Sequence, residues 1–434
     1  MGLYQHTFYS EELGRIMTEE AFIEQMLKVE AGLAKAQATA GIIPDSSVET
    51  IQTCAKIAFI DLDRLKKDII LGGNAAIPLV KQLTTLVKTK DFEASKHVHF
   101  GATSQDIIDT ATVLQMVQAA KWMSNQLNIL ESALENLAKT HRDTLMIGRT
   151  LLQQAKPITF GFKAALWLKS IRQDRSRLQQ AMENNRVLQM FGAVGSGHAR
   201  MNTEVLEKLA IALQLKTEGS WQSSRGNLCE FASTLGILSG NLGKIAKDIS
   251  LLMQTEIAEV FEGAAEGKGG SSTMPHKRNP VNCALILSNA TRTPALVSTM
   301  LSAMLQEHER SAGLWHAEWE TLHDLIQLTG GSLEKSVDLL AHLEVNQDKV
   351  RENLEVTQGL IFAEGVSLAL APEMGKLKAH EFVQKACKTA LAEQKHLKQV
   401  LEEQGVTLPN LAELFKPENA LGLVHEMIDE ILKK

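Results

Sequence analysis

Two long apolar stripes constrain the fold of this chain more than any other feature of its sequence. Apolar residues recur in alternating steps of three and four along residues 113–137, and again along residues 231–252. This spacing places them on one face of an α-helix, and neither stretch contains a proline. A long helix cannot bury such a stripe alone. We therefore expect these helices to pack side by side in a bundle, within one chain or between chains.

The composition also favours helix over sheet. Hydrophobic residues make up 44 % of the 434 residues, but aromatic residues only 5 %, and the chain has nine prolines. Strands are enriched in aromatic residues, so this balance favours an all-α protein with a large core. Breaks in the helical patterning predict three domains: a mixed helical domain at 1–110, a long-helix bundle at 111–350 and a small helical domain at 351–434.

Several classes of protein are not expected. A net charge of −6 gives no overall electrostatic attraction to nucleic acid. No run approaches about 18 uncharged apolar residues, so no membrane-spanning helix is predicted. The N-terminus lacks the basic and apolar regions of a signal peptide. The cysteines show no metal-binding spacing, which predicts free thiols in a reducing cytoplasm. They are Cys54, Cys229, Cys283 and Cys387.

The segment at residues 262–280 is the strongest functional signal and reads EGAAEGKGGSSTMPHKRNP. Its glycines allow unusual backbone conformations and a close approach to a ligand. Pro275 and Pro280 limit where a helix can run, and four polar or basic residues lie between them. A flexible segment that becomes basic suits a loop that closes on an anion. The alternative is a solvated basic loop with no function of its own.

Three stretches of the chain resemble the substrate-binding segments of the fumarase/aspartase superfamily. GSSTMPHKRNP, at residues 270–280, matches every fixed position of the superfamily signature GSSxMPxKxNP. GATSQD, at residues 101–106, resembles the first segment. GRTLLQQAKP, at residues 148–157, resembles the second, which usually reads GRTHxQxAxP. The segments follow the superfamily's order, so the resemblance covers most of the chain.

This resemblance implies the architecture and the assembly. It implies an all-α, three-domain subunit with a long central helix bundle that assembles with other subunits. The implied assembly is a homotetramer in which each active site takes its three segments from three chains. No cofactor is implied. The sequence itself contains no HExxH, no P-loop and no acidic metal cluster, so no metal is predicted either.

The resemblance also assigns candidate site residues. Ser271 is the expected proton-transfer group, with Ser272 as the second choice, and Lys277 would stabilise the serine alkoxide. The remaining positions are expected to bind the substrate: Thr103, Ser104, Arg149, Thr150, Gln153, Met274, Asn279 and Arg310. Two alternatives stay open. One is that the hydroxyl groups at 103 and 104 only cap a helix, and the other is that the two arginines form structural ion pairs.

The chain departs from the superfamily pattern at positions that bear on the reaction. Leu151 stands where members that expel an amine or hydroxide commonly carry a histidine as general acid. Asn74 stands where adenylosuccinate lyases carry a second histidine. Trp315 and Trp319 fall in a stretch where those lyases have a serine pair and an arginine that grip the nucleotide. The sequence therefore retains the serine-containing loop but lacks the histidine side chain and the residues that would bind the phosphate of a nucleotide.

The missing imidazole indicates which reaction the site suits. An amine or alkoxide must be protonated as it leaves, but a carboxylate, with a pKa of about 4, does not. We therefore expect a lactonising member of the superfamily, acting on a small polycarboxylate. One alternative is another lyase, such as adenylosuccinate lyase, which the absent histidine disfavours. The other is a catalytically silent helical oligomer, which would have no need of Ser271 or Lys277.

Overall fold

A computed structural model describes residues 3–263, 269–270, 274 and 277–433 of the chain. As predicted, the fold is built mainly from α-helices. In the first part of the chain these are α1 (Gln5–Phe8), α2 (Glu11–Ile16), α3 (Glu19–Thr39), α4 (Ser46–Cys54), α5 (Leu62–Gly72), α6 (Ala76–Lys90), α7 (Phe92–Ser95), α8 (Ser104–Thr140) and α9 (Phe160–Asn185).

The second part of the chain is also built mainly from α-helices. Its helices are α10 (Thr203–Leu213), α11 (Gly226–Leu252), α12 (Val281–Ser302), α13 (Leu314–Ala341), α14 (Gln347–Glu355), α15 (Ala363–Met374), α16 (Lys376–Glu393), α17 (Leu397–Glu403), α18 (Leu411–Leu414) and α19 (Val424–Lys433). Short 3-10 turns occur at Ile57–Phe59, Leu360–Phe362 and Pro417–Ala420. Two antiparallel strand pairs interrupt the helices: β1 (Leu145–Thr150) with β2 (Gln153–Thr159), and β3 (Val260–Phe261) with β4 (Glu344–Val345).

Both predicted apolar stripes lie in long helices. The stripe at 113–137 belongs to α8, which is 37 residues long, and the stripe at 231–252 belongs to α11, which is 27 residues long. Every apolar residue of the two stripes is buried. Burial of such stripes, rather than helix propensity, stabilises helices of this length. The prediction of long core helices is therefore confirmed.

Contacts divide the chain into two compact units, each made of several segments. The first unit comprises Met1–Leu127, Asp174–Leu242 and Ser288–Glu334, and the second comprises Asn128–Gln173, Gly243–Leu287 and Lys335–Lys434. The first unit buries a large core, in which α3 packs against α10. The second unit buries a core between α15, α16 and α17 and a smaller one around Ile147. The predicted three-domain boundaries are not tested by this division and stay a prediction.

The strand pair β1–β2 was not predicted from the sequence, which indicated only a polar break at 148–157. The segment instead forms an antiparallel hairpin, with Thr150 opposite Gln153 and a register shift after Gly148. A Cβ atom on Gly148 would lie 2.9 Å from the Lys156 carbonyl oxygen, so the close pairing requires glycine there. The apolar alternation was too short to distinguish a strand from a helix end.

In the described residues, no single helix has the length and apolar character needed to cross a membrane. One bent pair, Gln347–Glu355 with Leu360–Met374, passes that test by length and composition when its two arms are counted together.

Candidate active site

The loop that leads into α8 is held on both sides. Gln37 of α3 donates a hydrogen bond of 2.7 Å from Nε2 to the Phe100 carbonyl oxygen. His198 Nε2 lies 2.8 Å from the Gly101 carbonyl oxygen. Gly101 has φ +85°, and a Cβ there would come within 2.5 Å of His198 Cε1. Only glycine permits this approach, and the contacts fix where the next residues, at 103 and 104, begin the helix.

A buried histidine–carboxylate pair fixes the same loop from within. His99 Nδ1 lies 2.6 Å from Glu30 Oε1, and the Glu30 side chain is almost wholly buried. His99 has φ +55°, an unfavourable backbone conformation that a strong local contact must stabilise. Burial opposes the charge on His99, but the carboxylate of Glu30 outweighs burial, and the pKa of His99 is raised. The pair therefore favours an imidazolium–carboxylate contact at the base of the loop.

Thr103 immediately precedes α8. Its backbone N–H donates to Asp106 Oδ2 at 3.0 Å, which is one half of a capping box. Within the part of the chain that the structure describes, its hydroxyl accepts from Arg310 rather than from a helix amide. Capping alone therefore does not account for the Thr103 hydroxyl, whose own hydrogen is left for another acceptor. Ser104, the first residue of α8, is half-buried beside it.

Asp106 joins the start of α8 to the segment at residues 191–193. Its buried carboxylate accepts from the backbone N–H groups of Phe191 and Gly192, each at 2.9 Å. Burial raises the pKa of Asp106, and the hydrogen bonds from backbone amides work in the opposite direction. Because Asp106 binds both segments, it fixes the Ala193 carbonyl oxygen, which is one of the acceptors for Arg310.

Arg310 and Thr103 are brought together by the fold. Arg310 Nη2 donates to Thr103 Oγ1 at 2.9 Å and to the Ala193 carbonyl oxygen at 3.2 Å, and Nε donates to Gln105 Oε1 at 3.0 Å. None of these acceptors is charged. The ion-pair alternative raised for Arg310 is therefore not what the described contacts show, and the guanidinium keeps its charge for an anion.

A buried ionic cluster lies below Arg310. Arg225 binds two carboxylates, with Nη1 2.7 Å from Asp109 Oδ2 and Nε 2.9 Å from Glu318 Oε1. Burial opposes the charge on Arg225, but the two carboxylates outweigh it, and the pKa of Arg225 is raised. The sequence analysis missed this cluster. One signal was present: Gln105 and Asp109 are polar residues four apart, and so on one face of the helix that carries the first apolar stripe.

In the second unit, the hairpin β1–β2 carries three predicted site residues near its tip. Thr150 and Gln153 are exposed and face each other across the turn. The turn itself is Leu151–Leu152, with φ +48° and +64°, and the two residues are 97 % and 75 % exposed. Turns of this kind favour asparagine and glycine. Two exposed leucines in left-handed conformations mark a strained position of the sort that clusters at functional sites.

Arg149, next to the tip, is engaged by a buried carboxylate. Its Nη1 and Nη2 donate to Glu259 Oε2 and Oε1 at 2.9 and 2.7 Å. Glu259 is fully buried, and Asn353 Nδ2 donates to its Oε1 at 2.8 Å. Both terminal nitrogens of Arg149 therefore face a charge of opposite sign. This geometry favours the ion-pair alternative over a direct carboxylate ligand.

Backbone hydrogen bonds join described residues of the 262–280 segment to one another. Asn279 N donates to the Gly269 carbonyl oxygen at 2.9 Å, and Lys277 N donates to the Met274 carbonyl oxygen at 3.1 Å. The Lys277 and Met274 side chains are exposed, and Asn279 is half-buried. The predicted proton-transfer residues, Ser271 and Ser272, lie outside the described residues.

The carboxylate of Glu262 ties the two ends of that segment together. It accepts from the backbone N–H groups of Asn282 and Cys283, at 3.1 and 2.9 Å, and so caps the N-terminus of α12. Arg278 binds Glu344 of β4 through two hydrogen bonds of 2.9 Å. Arg278 therefore fastens the C-terminal end of the signature to β4, and Glu262, which follows β3, is fastened to the start of α12.

The described contacts thus assemble two groups of predicted residues. In the first unit, Thr103 and Ser104 lie with Arg310. In the second unit, the hairpin presents Arg149, Thr150 and Gln153, and the end of the signature carries Met274, Lys277 and Asn279. Among the described residues, no group of three or more His, Cys, Asp or Glu side chains is placed to hold a metal ion.

Comparison with known proteins identifies the family. A lyase family profile matches residues 6–294, and an adenylosuccinate lyase C-terminus profile matches residues 359–431. The chain belongs to the lyase family of the fumarase/aspartase superfamily. The first profile spans all three segments that were singled out from the sequence. The residues that this profile matches make up well over half of the chain and include segments of both units.

Individual members of the lyase family are similar along the whole chain. The 3-carboxy-cis,cis-muconate cycloisomerase of Acinetobacter baylyi is 47 % identical, over 100 % of this chain and 98 % of the relative. The crystal structure of β-carboxy-cis,cis-muconate cycloisomerase from Acinetobacter calcoaceticus matches with a TM-score of 0.92 and 45 % identity, covering 100 % of both chains. That of the 3-carboxy-cis,cis-muconate lactonizing enzyme from Pseudomonas putida matches with a TM-score of 0.94 and 43 % identity, covering 99 % and 98 %.

Proposed function

We propose that the protein converts 3-carboxy-cis,cis-muconate into the γ-lactone 4-carboxymuconolactone. This is an intramolecular lyase reaction, and we assign it to the β-ketoadipate route of protocatechuate breakdown. Full-length similarity to cycloisomerases, at 47 % identity, carries the assignment. Leu151 agrees with it, because lactone formation needs no imidazole to protonate a leaving group. Neither the lyase alternative nor the silent oligomer is favoured.

The reaction forms one bond to oxygen and one to hydrogen. A carboxylate oxygen of the substrate adds to a carbon of the C=C bond and closes the lactone ring. The π-electron pair moves to the neighbouring carbon, where the adjoining carboxylate holds it as an aci-carboxylate. A proton then adds to that carbon. One carboxylate charge is consumed, one proton is taken up, and nothing is expelled.

The side chains have two tasks in this scheme, to bind carboxylates and to deliver the proton. We assign the proton delivery to Ser271, with Lys277 stabilising the serine alkoxide once the proton has left. A substrate with three carboxylates needs several donors, and Arg310 is well placed because its described contacts leave its charge unpaired. The Thr103 hydroxyl, aligned by Arg310, is a second donor.

We also propose that the active protein is a homotetramer with active sites shared between subunits. The exposed Leu151–Leu152 turn supports this proposal, since two leucines in strained conformations are costly unless something covers them. A complementation experiment tests it. Ser271→Ala and Arg310→Met proteins, each impaired in turnover on its own, are co-expressed, and the mixed assemblies are purified and assayed. Shared sites should restore part of the turnover, and no restoration would contradict them.

For the compartment, we propose the cytoplasm. The four cysteines are free thiols, three of them buried, as expected in a reducing environment. Labelling of these thiols in denatured protein from freshly lysed cells, with and without prior reduction, would check their redox state. Equal labelling in both samples is expected, and extra labelling after reduction would contradict the proposal.

A direct assay tests the proposed reaction. Purified protein is mixed with 3-carboxy-cis,cis-muconate, the loss of the conjugated-diene absorbance is followed, and the product is identified by NMR as the γ-lactone. Adenylosuccinate serves as the control substrate and should release no fumarate. Loss of absorbance without lactone, or no loss at all, would rule out the proposed reaction.

A further inference from the structure

The amide of Gln105 has only one orientation that satisfies its neighbours. Its Nε2 donates to Asp109 Oδ2 at 3.0 Å and to the Gln222 carbonyl oxygen at 2.8 Å. Both neighbours are acceptors, so the nitrogen must face them. The amide oxygen must then point the other way, where it accepts from Arg310 Nε at 3.0 Å. The residue is fully buried, so water cannot take over either role.

The anchor for this amide cannot turn either. Asp109 accepts four hydrogen bonds, one from Gln105, two from Arg225 at 2.7 and 3.1 Å, and one from Trp315 Nε1 at 3.0 Å. A carboxylate has about four lone-pair positions, so all of them are used. Arg225 is itself held on its other side by Glu318. The base under Gln105 is therefore a saturated, buried ionic cluster.

The same contacts fix the plane of the Arg310 guanidinium. Nε is held by Gln105, and Nη2 is held by Thr103 and the Ala193 carbonyl oxygen. The guanidinium carbon lies 5.9 Å from the centroid of the Trp315 ring. Within the described residues, Nη1 meets no hydrogen-bond acceptor. Its two N–H groups form an edge that a carboxylate can take.

A comparison with Arg149 shows why a neutral anchor matters. Arg149 is held by the carboxylate of Glu259, which contacts both Nη1 and Nη2 and neutralises the cation. Arg310 is held on Nε by an uncharged amide. A bidentate carboxylate would consume the charge that an anionic ligand needs, whereas an amide fixes the position and leaves the charge unpaired.

We propose that Gln105 is a positioning residue that holds Arg310 rigid without neutralising it, so that Arg310 Nη1 binds a carboxylate of the substrate. This inference rests on the proposed function for the identity of the substrate. The geometry itself concerns only a carboxylate ligand. Gln105 acts through Arg310, and the two residues should therefore behave as one unit.

A double-mutant cycle tests that dependence. Gln105→Met, Arg310→Met and the double variant are titrated with tricarballylate, a stable tricarboxylate probe, by isothermal calorimetry, and KM and kcat are measured with 3-carboxy-cis,cis-muconate. Each single variant should weaken probe binding about tenfold or more, the loss expected for a hydrogen bond to a charged group. KM should rise more than kcat falls. The double variant should be no weaker than Arg310→Met alone. Additive losses would overturn the proposal.

Gln105→Glu provides a second test that does not depend on removing the side chain. While its new carboxyl is protonated, it can still donate to Asp109 and accept from Arg310. Ionisation would place a negative charge against Arg310. Probe affinity relative to wild type should therefore be near normal at low pH and fall as the pH rises. A ratio that stays constant with pH would overturn the proposal.

The matched control is Gln115→Met. Gln115 lies on the same helix, is also buried, and donates to the Ile16 carbonyl oxygen at 3.0 Å, away from Arg310. It should leave probe binding and KM unchanged, and a loss equal to that of Gln105→Met would point to a general packing effect and overturn the inference.

Two outcomes separate the inference from the proposed function. If probe binding depends on Arg310 but the protein does not turn over 3-carboxy-cis,cis-muconate, only the proposed function is refuted. If the protein turns over 3-carboxy-cis,cis-muconate but Arg310→Met binds the probe as tightly as wild type does, only the inference is refuted.

Discussion

Arg310 donates a hydrogen bond of 2.9 Å from Nη2 to Thr103 Oγ1, across 207 positions of the chain. The threonine hydroxyl has one hydrogen to give. Because it accepts from a cation, that hydrogen is directed towards another acceptor and is polarised for it. The pair therefore behaves as one two-part anion-binding group at the start of α8, where helix amides add further donors.

Substituting Thr103 tests the pair from the threonine side. Thr103→Val keeps the shape but removes the acceptor for Arg310 and the donor for substrate, so kcat/KM should fall about ten- to a hundredfold. Thr103→Ser keeps the hydroxyl and should stay within about threefold of wild type. Steady-state kinetics on both variants provides the measurement. Equal losses in both variants would mean that the methyl group, rather than the hydroxyl, matters.

The serine assignment is tested by paired substitutions in the signature. Ser271→Ala should lower kcat by about two to four orders of magnitude, the usual range for loss of a proton-transfer group. Ser272→Ala should retain most of the activity. Circular dichroism and sedimentation should show an unchanged fold and assembly in both. If the larger loss falls on Ser272→Ala, the proton-transfer role belongs to that residue instead.

The long helices could be predicted from the sequence, but the contacts within the site could not. The stripes of α8 and α11 repeat over many turns, so periodicity alone predicted them. The site segments were found by resemblance to a superfamily signature. The partner of Arg149, however, is Glu259, which lies 110 positions away and has no local pattern that marks it. Tertiary packing decides such pairs, and a single sequence does not record it.

Arg149 and Glu259 yield a test of structural against substrate-binding roles. Arg149→Met leaves a fully buried carboxylate unpaired, which should destabilise the protein by about 3–5 kcal/mol. Arg149→Met combined with Glu259→Leu removes both charges and should recover most of that loss. Urea denaturation of the two variants measures this. If Arg149→Met instead raises KM and leaves the denaturation midpoint unchanged, Arg149 binds substrate.

The buried pair of His99 and Glu30 should make the stability of the folded state depend on pH. The raised pKa of His99 means that the folded state holds its proton more tightly than the unfolded state, whose pKa is about 6.5. This contribution to stability is fully present below the unfolded pKa and is lost as pH rises through the folded pKa. Two carboxylates face the imidazole, Glu30 from α3 and Asp106 from α8.

The measurement is the melting temperature of wild type and Glu30→Gln at a series of pH values. Wild type should lose stability above about pH 6.5 until the folded pKa has been passed. Glu30→Gln should lack this fall, since burial, which lowers the pKa of His99, would then be opposed only by the weaker effect of Asp106. Parallel curves for the two proteins would show that the pair does not hold a proton in the folded state.

The turn at Leu151 and Leu152 has a sequence that does not suit its backbone conformation. Both residues have positive φ, for which asparagine and glycine are far better suited. The double variant Leu151→Asn, Leu152→Gly should therefore stabilise the hairpin by about 1–3 kcal/mol, seen as slower hydrogen exchange of its backbone amides. The same variant should lose turnover, since leucines kept at this cost are kept for the site or for a neighbouring subunit. A variant with a more stable hairpin and full activity would show that the two side chains have no such role.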